Sequence, residues 1–422
     1  NWGSILTWEA FDGCNWITGL VPTAADGQIS ILHDIVINSI ANADQLVVNS
    51  GASLSVSSGT LQIEDGPGTD LLVNGTFTLS NHLLGNGSVN ISSGAQFNWI
   101  NGNLPAGSGS INIGTGATAT FNGTNRINQG RTITNDGTID WIGGDIVSGD
   151  GGTFINNHLI NISNDVNLYT NCSGCPGINF TNAATGIMTK SGSAGTSVFG
   201  NADNVIFNNN GIFNINVGTI TFRGQGDHTG LFDIPTGSAL RFEQNSSIIH
   251  NFNNGASIQG TGSVSFIQGT TNFNSGSQYA ATLLTTHNQG FVTWNMSAVT
   301  INDFTFSGGR EFGTADMTLP GNVTWSGGEW RGNGTATFTN TANVNFTGNE
   351  KFIFQGRTII NNGTISWNGG DLVSTDGGIF TNNHLINISN DINLRTNCTG
   401  CPGVNFTNAA TGIMTKTGSA GT

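Results

Sequence analysis

Along most of the chain apolar and polar residues alternate in short runs, and each run is introduced by a glycine followed by serine or threonine. Examples are Gly59-Thr60-Leu61-Gln62-Ile63, Gly75-Thr76-Phe77-Thr78-Leu79, Gly137-Thr138-Ile139-Asp140-Trp141 and Gly363-Thr364-Ile365-Ser366-Trp367. A period of two turns one face of a short strand inward and the other to water. The glycine, often preceded by asparagine, supplies the positive φ that leads the chain into each strand. Helix signals are close to absent, because glycine interrupts nearly every stretch with apolar residues at helical spacing.

A phenylalanine followed by an asparagine-rich turn returns at Phe154, Phe180, Phe207, Phe232, Phe252 and Phe273, at spacings of 26, 27, 25, 20 and 21 residues. One coil of a parallel β-solenoid holds two or three strands, so this quasi-period fits one rung. A β-sandwich would also give many short strands, but stacked rungs are what set like residues on one another and reward aromatic ladders. The predicted fold is therefore all-β, a right-handed parallel β-solenoid (β-helix) of roughly 20–27 residues per rung. At about 23 residues per rung, the 422 residues give roughly 18 rungs and a rod of the order of 85 Å. Trp2, Trp8 and Trp16 cluster before the regular pattern begins near Ile29. Residues 1–45 are read as an N-terminal cap that shields the first rung, and 46–422 as the solenoid.

A longer duplication lies over the rungs. Residues 131–196 match 357–422 at an offset of 226, with 53 of 66 positions identical. Weaker similarity extends upstream, with Trp99 opposite Trp325 and Gln129 opposite Gln355. The second copy breaks off at Thr422, which predicts a native chain that continues with further copies.

Composition narrows the partners. Lys and Arg number 11 against 25 Asp and Glu, for a net charge of -14. That balance disfavours nucleic acid and anionic membranes, which are bound through clustered basic residues. Only 9% of residues are charged, so the polar surface is Asn, Ser and Thr. Gly-rich polar chains are often disordered, yet 36% of this one is hydrophobic and patterned. No apolar run reaches the 18 residues of a membrane-spanning helix.

The opening Asn15-Trp16, Gly19, Pro22-Thr23, Asp26, Ile29 and Ile31, followed by Val47-Val48-Asn49-Ser50-Gly51-Ala52-Ser53-Leu54-Ser55-Val56, resembles the start of large repetitive surface proteins of Bacteroidota. The later Asn-Gly-Thr-Ile and Gly-Gly-Asp runs are similar to their stacked repeats. The resemblance implies a β-helical protein exported by the type IX secretion system, with an adhesive, gliding or matrix role. Implied partners are the secretion machinery, surface glycans, or copies of itself in a fibre. A weaker similarity is to filamentous haemagglutinins and autotransporter passengers. The expectation is thus an extracellular structural or adhesive rod of a bacterial cell surface, with no enzyme activity and no cofactor. The alternative is a polysaccharide-binding or polysaccharide-degrading β-helix, a lyase or glycoside hydrolase. Such an enzyme needs grouped carboxylates, or a base beside acids. The basic residues here are scattered along the sequence, and Arg131 with Arg357 and Lys190 with Lys416 are copies across the repeat.

The remaining chemistry lies in cysteine, histidine and aspartate. Cys172-Ser173-Gly174-Cys175 and Cys398-Thr399-Gly400-Cys401 are each followed by Pro-Gly. A redox CxxC wants a helix N-terminus, and a four-cysteine zinc site needs the two pairs in contact although they lie a long repeat apart. The favoured reading is a small disulfide within each pair, suited to an oxidising compartment, with Cys14 left over. His158 and His384 fall near these pairs, but a structural role outweighs a metal. Asp145, Asp150, Asp371 and Asp376 read as turn residues rather than calcium ligands, because the nonapeptide calcium repeat is absent. Sequons such as Asn74, Asn161, Asn171, Asn387 and Asn397 arise from composition alone.

Overall fold

The computed structural model describes residues 1–418 except 106, 108, 173, 202–203, 244–246 and 355, and it leaves out the side chain of Asn125. Ser173, Gln355 and the last four residues of the second repeat copy, 419–422, therefore lie outside the described residues. The fold is all-β, a β-solenoid of parallel stacked sheets with about 17 turns. Among the described residues there is no helix. The chain packs as two units, Asn1–Asn214 and Ile215–Thr422.

In the first unit each coil contributes three short strands. The first coil runs through Ile29–Ile31, Ile35–Ile37 and Ile40–Ala43, and the second through Leu46–Val48, Ser53–Val56 and Thr60–Ile63. Each strand lies parallel to its counterpart one coil on, with Ile29 opposite Leu46, Ile35 opposite Leu54 and Ala41 opposite Leu61. Residues 29–45 thus belong to the first coil rather than to the cap, because their alternation already pairs with the next coil.

This register keeps inward residues stacked on inward residues. One column runs Val56, Leu79, Trp99, Phe121, Trp141, Ile162, Lys190. Its aromatic members are at most 1% exposed, and burial of one such side chain contributes about 2–3 kcal/mol. The phenylalanine marker is a ladder here: Phe154, Phe180 and Phe207 stack at 4.6 and 5.3 Å. Glycine turns are required where coils approach. A Cβ on Gly102, at φ +94°, would lie 1.9 Å from the Asn81 carbonyl oxygen one coil away. At the N-terminus Trp2 is buried and its N–H donates to the Val36 carbonyl at 3.0 Å. Trp8 packs edge-on against Trp2 at 4.9 Å. Trp16 instead points outward with Phe11 from an antiparallel pair, Glu9–Phe11 with Trp16–Thr18.

The second unit repeats the plan. Leu284–His287, Phe291–Trp294 and Ala298–Thr300 form one coil, paired in parallel with Asp303–Phe306, Arg310–Gly313 and Asp316–Leu319. Phe252 stacks on Phe273 at 4.8 Å. Phe232 departs from the expected ladder: it lies on the strand Leu231–Ile234, in another sheet, and meets Phe252 across the core at 62°. The spacing between stacked strands varies more widely than the sequence suggests, from 17 residues (Ile29 to Leu46) to 31 (Leu168 to Phe199). The longest coil holds the turn that carries Cys172 and Cys175.

Candidate functional site

The structure brings each CxxC pair to disulfide distance, with Cα atoms 5.7 Å apart for Cys172 with Cys175 and for Cys398 with Cys401. In both turns the intervening glycine takes a positive φ with open space around it, +75° at Gly174 and +78° at Gly400. Cys14 is exposed in the turn after Asp12, whose carboxylate accepts the N–H groups of Cys14 and Asn15. Alkylation of the unreduced protein is therefore expected to mark Cys14 alone. Reduction should open four more sites, and labelling of any CxxC cysteine before reduction would refute the pairing.

Three of the other predicted positions hold hydrogen bonds within the fold. His158 donates from Nδ1 to the Gly137 carbonyl at 3.0 Å. Asp145 and Asp371 accept the backbone N–H of Asn167 and Asn393 from the next coil, at 2.8 and 2.9 Å. Asp150 and Asp376 sit exposed in the following turns. Among the described residues no three His, Cys, Asp or Glu side chains group as a metal site. Of the duplicated bases Arg131, Arg357 and Lys190 go inside the coils, whereas Lys416 is exposed and pairs with Asp391 at 2.8 Å. Arg131 donates to the carbonyls of Gly85 and Gly87, Arg357 lies over Trp330 at 5.2 Å, and buried Lys190 pairs with Asp165 at 2.7 Å.

The interior holds more polar groups than alternation predicts. Asn135, Asn156, Asn182 and Asn209 are fully buried one above another, each Nδ2 donating to the next Oδ1 at 2.7 Å. Arg126 donates to the carbonyls of Asn122, Gly143 and Gly144 between the rings of Trp99, Phe121 and Trp141. Desolvation pushes its guanidinium down to about 9, and Asp145 opposes the shift.

One surface of the second unit was not legible in the sequence. Phe291, Arg310, Glu329 and Phe352 occupy successive coils in one outward row, Phe291 opposite Arg310, Arg310 opposite Glu329, Glu329 opposite Phe352. Beside this row the chain turns at Gly290, Gly309 and Gly328, all at positive φ. These glycines floor a groove of about 410 Å³, with Gln268 and Gln289 on its rim. A neighbouring depression, shared through Phe352, is edged by Asn349, Glu350 and Asp371.

Ion pairs fix the walls. Arg310 lies over Phe291 at 5.3 Å and pairs with Glu329 at 2.9 Å. Arg331 pairs with Glu329 at 2.6 Å and covers Phe354 at 4.6 Å. Arg395 bridges Glu350 and Asp371. Partial burial would raise the Asp371 carboxyl, but the hydrogen bonds from Asn393 and Arg395 outweigh it and hold it below the usual carboxylate range. Beneath the floor the buried Glu311 accepts from His287 Nδ1 at 2.7 Å and from Trp294 Nε1. A Cβ on Gly309 would lie 2.6 Å from His287 Nε2, so the floor must be glycine there.

The fold makes this chain a parallel β-solenoid, and the groove is a depression built on its outer surface. No family model matches the chain, and neither a curated protein nor a solved structure matches it.

Proposed function

We propose that the chain is an extracellular structural and adhesive rod of a bacterial cell surface. The observation that carries the reading is the aromatic, ion-paired groove on an otherwise Asn-, Ser- and Thr-rich solenoid, a built surface in a scaffold that otherwise repeats. The cysteine pairs in the turns suit an oxidising compartment. A sparsely charged polar exterior with a net charge of -14 suits a surface that must not adsorb to nucleic acid or anionic lipid. Surface glycans and neighbouring rods are the partners of such a protein, and the secretion machinery delivers it.

Binding fits the groove better than hydrolysis. A glycosidase needs one carboxylic acid protonated and the other ionised. Glu329, Glu350 and Asp371 are all tied up in ion pairs with arginine, and hydrogen bonds from Asn393 and Arg395 hold the Asp371 carboxyl below the usual carboxylate range.

Antibody against the chain is expected to label intact, unpermeabilised producing cells, and its Fab fragments to reduce their attachment to surfaces. Labelling that requires permeabilisation, or attachment unchanged by saturating Fab, would overturn the reading.

A further inference from the structure

We infer that the groove floored by Gly290, Gly309 and Gly328 binds an uncharged polysaccharide strand. The inference rests on the adhesive reading above and names its ligand class. Its geometry comes from the coil repeat. Each coil adds one side-chain-free turn to the floor, so the groove runs across the coils in steps of about 4.8 Å. A floor of stacked glycine backbone accepts an extended chain rather than a compact molecule. The glycines cannot fill it by drift. A Cβ on Gly309 meets His287 Nε2 at 2.6 Å, and a Cβ on Gly328 meets the Phe306 ring at 2.5 Å.

The walls supply what a sugar needs. Phe291 and Phe352 stand two half-buried rings along the groove. An aromatic face carries partial negative charge and packs against the C–H face of a pyranose, while its flatness suits the ring's breadth. Gln268 and Gln289 offer a donor and an acceptor each to hydroxyls at the rim. This mixture of apolar platforms and a few polar groups is the usual lining of a ligand site.

Charge selects against polyanions. Arg310 and Arg331 are matched by Glu329, and Arg395 by Glu350 and Asp371, so three bases face three acids along the groove. Among the described residues of the groove no cation is left over to bind a carboxylate or sulfate, and the net charge of -14 repels acidic polymers at longer range. A neutral strand loses nothing by entering. Phe291, Arg310, Glu329 and Phe352 all fall outside the duplicated segments 131–196 and 357–422. The groove is therefore specific to its own stretch of coils rather than an automatic product of the repeat.

The test is affinity electrophoresis of the whole chain in native gels containing hydroxyethylcellulose, xyloglucan or galactomannan as neutral probes, and polygalacturonate or alginate as anionic ones. At least one neutral polymer is expected to retard the protein while the anionic ones do not. Phe291→Ala and Phe352→Ala are each expected to weaken the retardation about tenfold, as loss of an anchoring aromatic does at other interfaces. Both side chains are partly exposed, so an unchanged circular dichroism spectrum serves as the folding control; Gln289→Ala gives a milder variant should either fail it. Retardation by no neutral polymer, retardation by anionic polymers alone, or retardation unaffected by all three substitutions would overturn the inference. Cell labelling with no neutral-glycan retention would sink the groove and leave the surface role standing. The reverse pattern would keep the site and remove the surface role.

Discussion

Lowering the pH from 7 to 4.5 is expected to destabilise the unit Ile215–Thr422 by about 2 kcal/mol through His250 alone. His228 and His250 stack at 5.1 Å inside a cage of Phe222, Phe232, Phe242 and Phe252. His250 Nε2 donates to the Gly224 carbonyl, so its Nδ1 accepts from His228 Nε2 at 2.8 Å. Both bonds are made with both rings neutral, so no charge has to be carried into the cage. Burial pushes His250 down to about 4, against the upward pull of the Gly224 bond, and burial together with its neighbour holds His228 well below the usual value. The unfolded rings take up protons below about pH 6.5 while the folded ones stay neutral. Stability from the pair is therefore present above pH 6.5 and is lost as the pH falls toward 4. Asp165 and Asp371 also carry lowered values, but the stability they add is lost only below the ordinary carboxylate range. Denaturant melts at pH 7 and 4.5 measure the effect. The double variant His228→Phe/His250→Phe should flatten the slope between these pH values, and identical slopes in variant and wild type would exclude the mechanism.

The second large effect is expected at Asn156→Ala. Asn156 accepts from Asn135 and donates to Asn182, both at 2.7 Å, and its amide also reaches the carbonyls of His158 and Ile187. Alanine removes all four bonds in a fully buried site and leaves a gap between two remaining amides. Each stranded polar group costs about 1–3 kcal/mol, so a loss of about 3–4 kcal/mol is expected. Asn156→Asp should be no rescue, since it keeps the acceptor, deletes the donors and buries a charge. Urea unfolding followed by circular dichroism reports both. A change below 1 kcal/mol in either would mean that the ladder does not hold the coils.

The alternation that reveals the strands also explains what sequence reading misses. It places Leu61, Phe77 and Trp141 inside because their neighbours are polar, and the structure agrees. At Arg310-Glu311-Phe312 the same rule points the wrong way. Glu311 is buried, and Phe312 faces out beside Phe291 at 6.0 Å. Register decides the outcome: Glu311 lies opposite inward-facing Val292, and its cost is offset by His287 and Trp294, which come from a neighbouring coil. No local pattern contains that information. The asparagine ladder was hidden for a related reason, since an inward asparagine at a strand's end looks like the first residue of a turn. The groove needs four coils in register before its parts meet, whereas the cysteine pairs, three residues apart, are legible from spacing.

Arg131 has a consequence for how the coils find their partners. The strand Val89–Ile91 pairs with Ser110–Ile113, which pairs with Thr132–Asn135, so the guanidinium that reaches Gly85 and Gly87 spans two coils. A stack of look-alike turns invites slippage, because strands shifted by a whole coil would still bury leucine on leucine. A slipped stack would strand this cation in an apolar interior without its carbonyls, a penalty of several kcal/mol. The sparse interior charges thus act as vernier marks on an otherwise uniform scale, rejecting the wrong alignment rather than strengthening the right one.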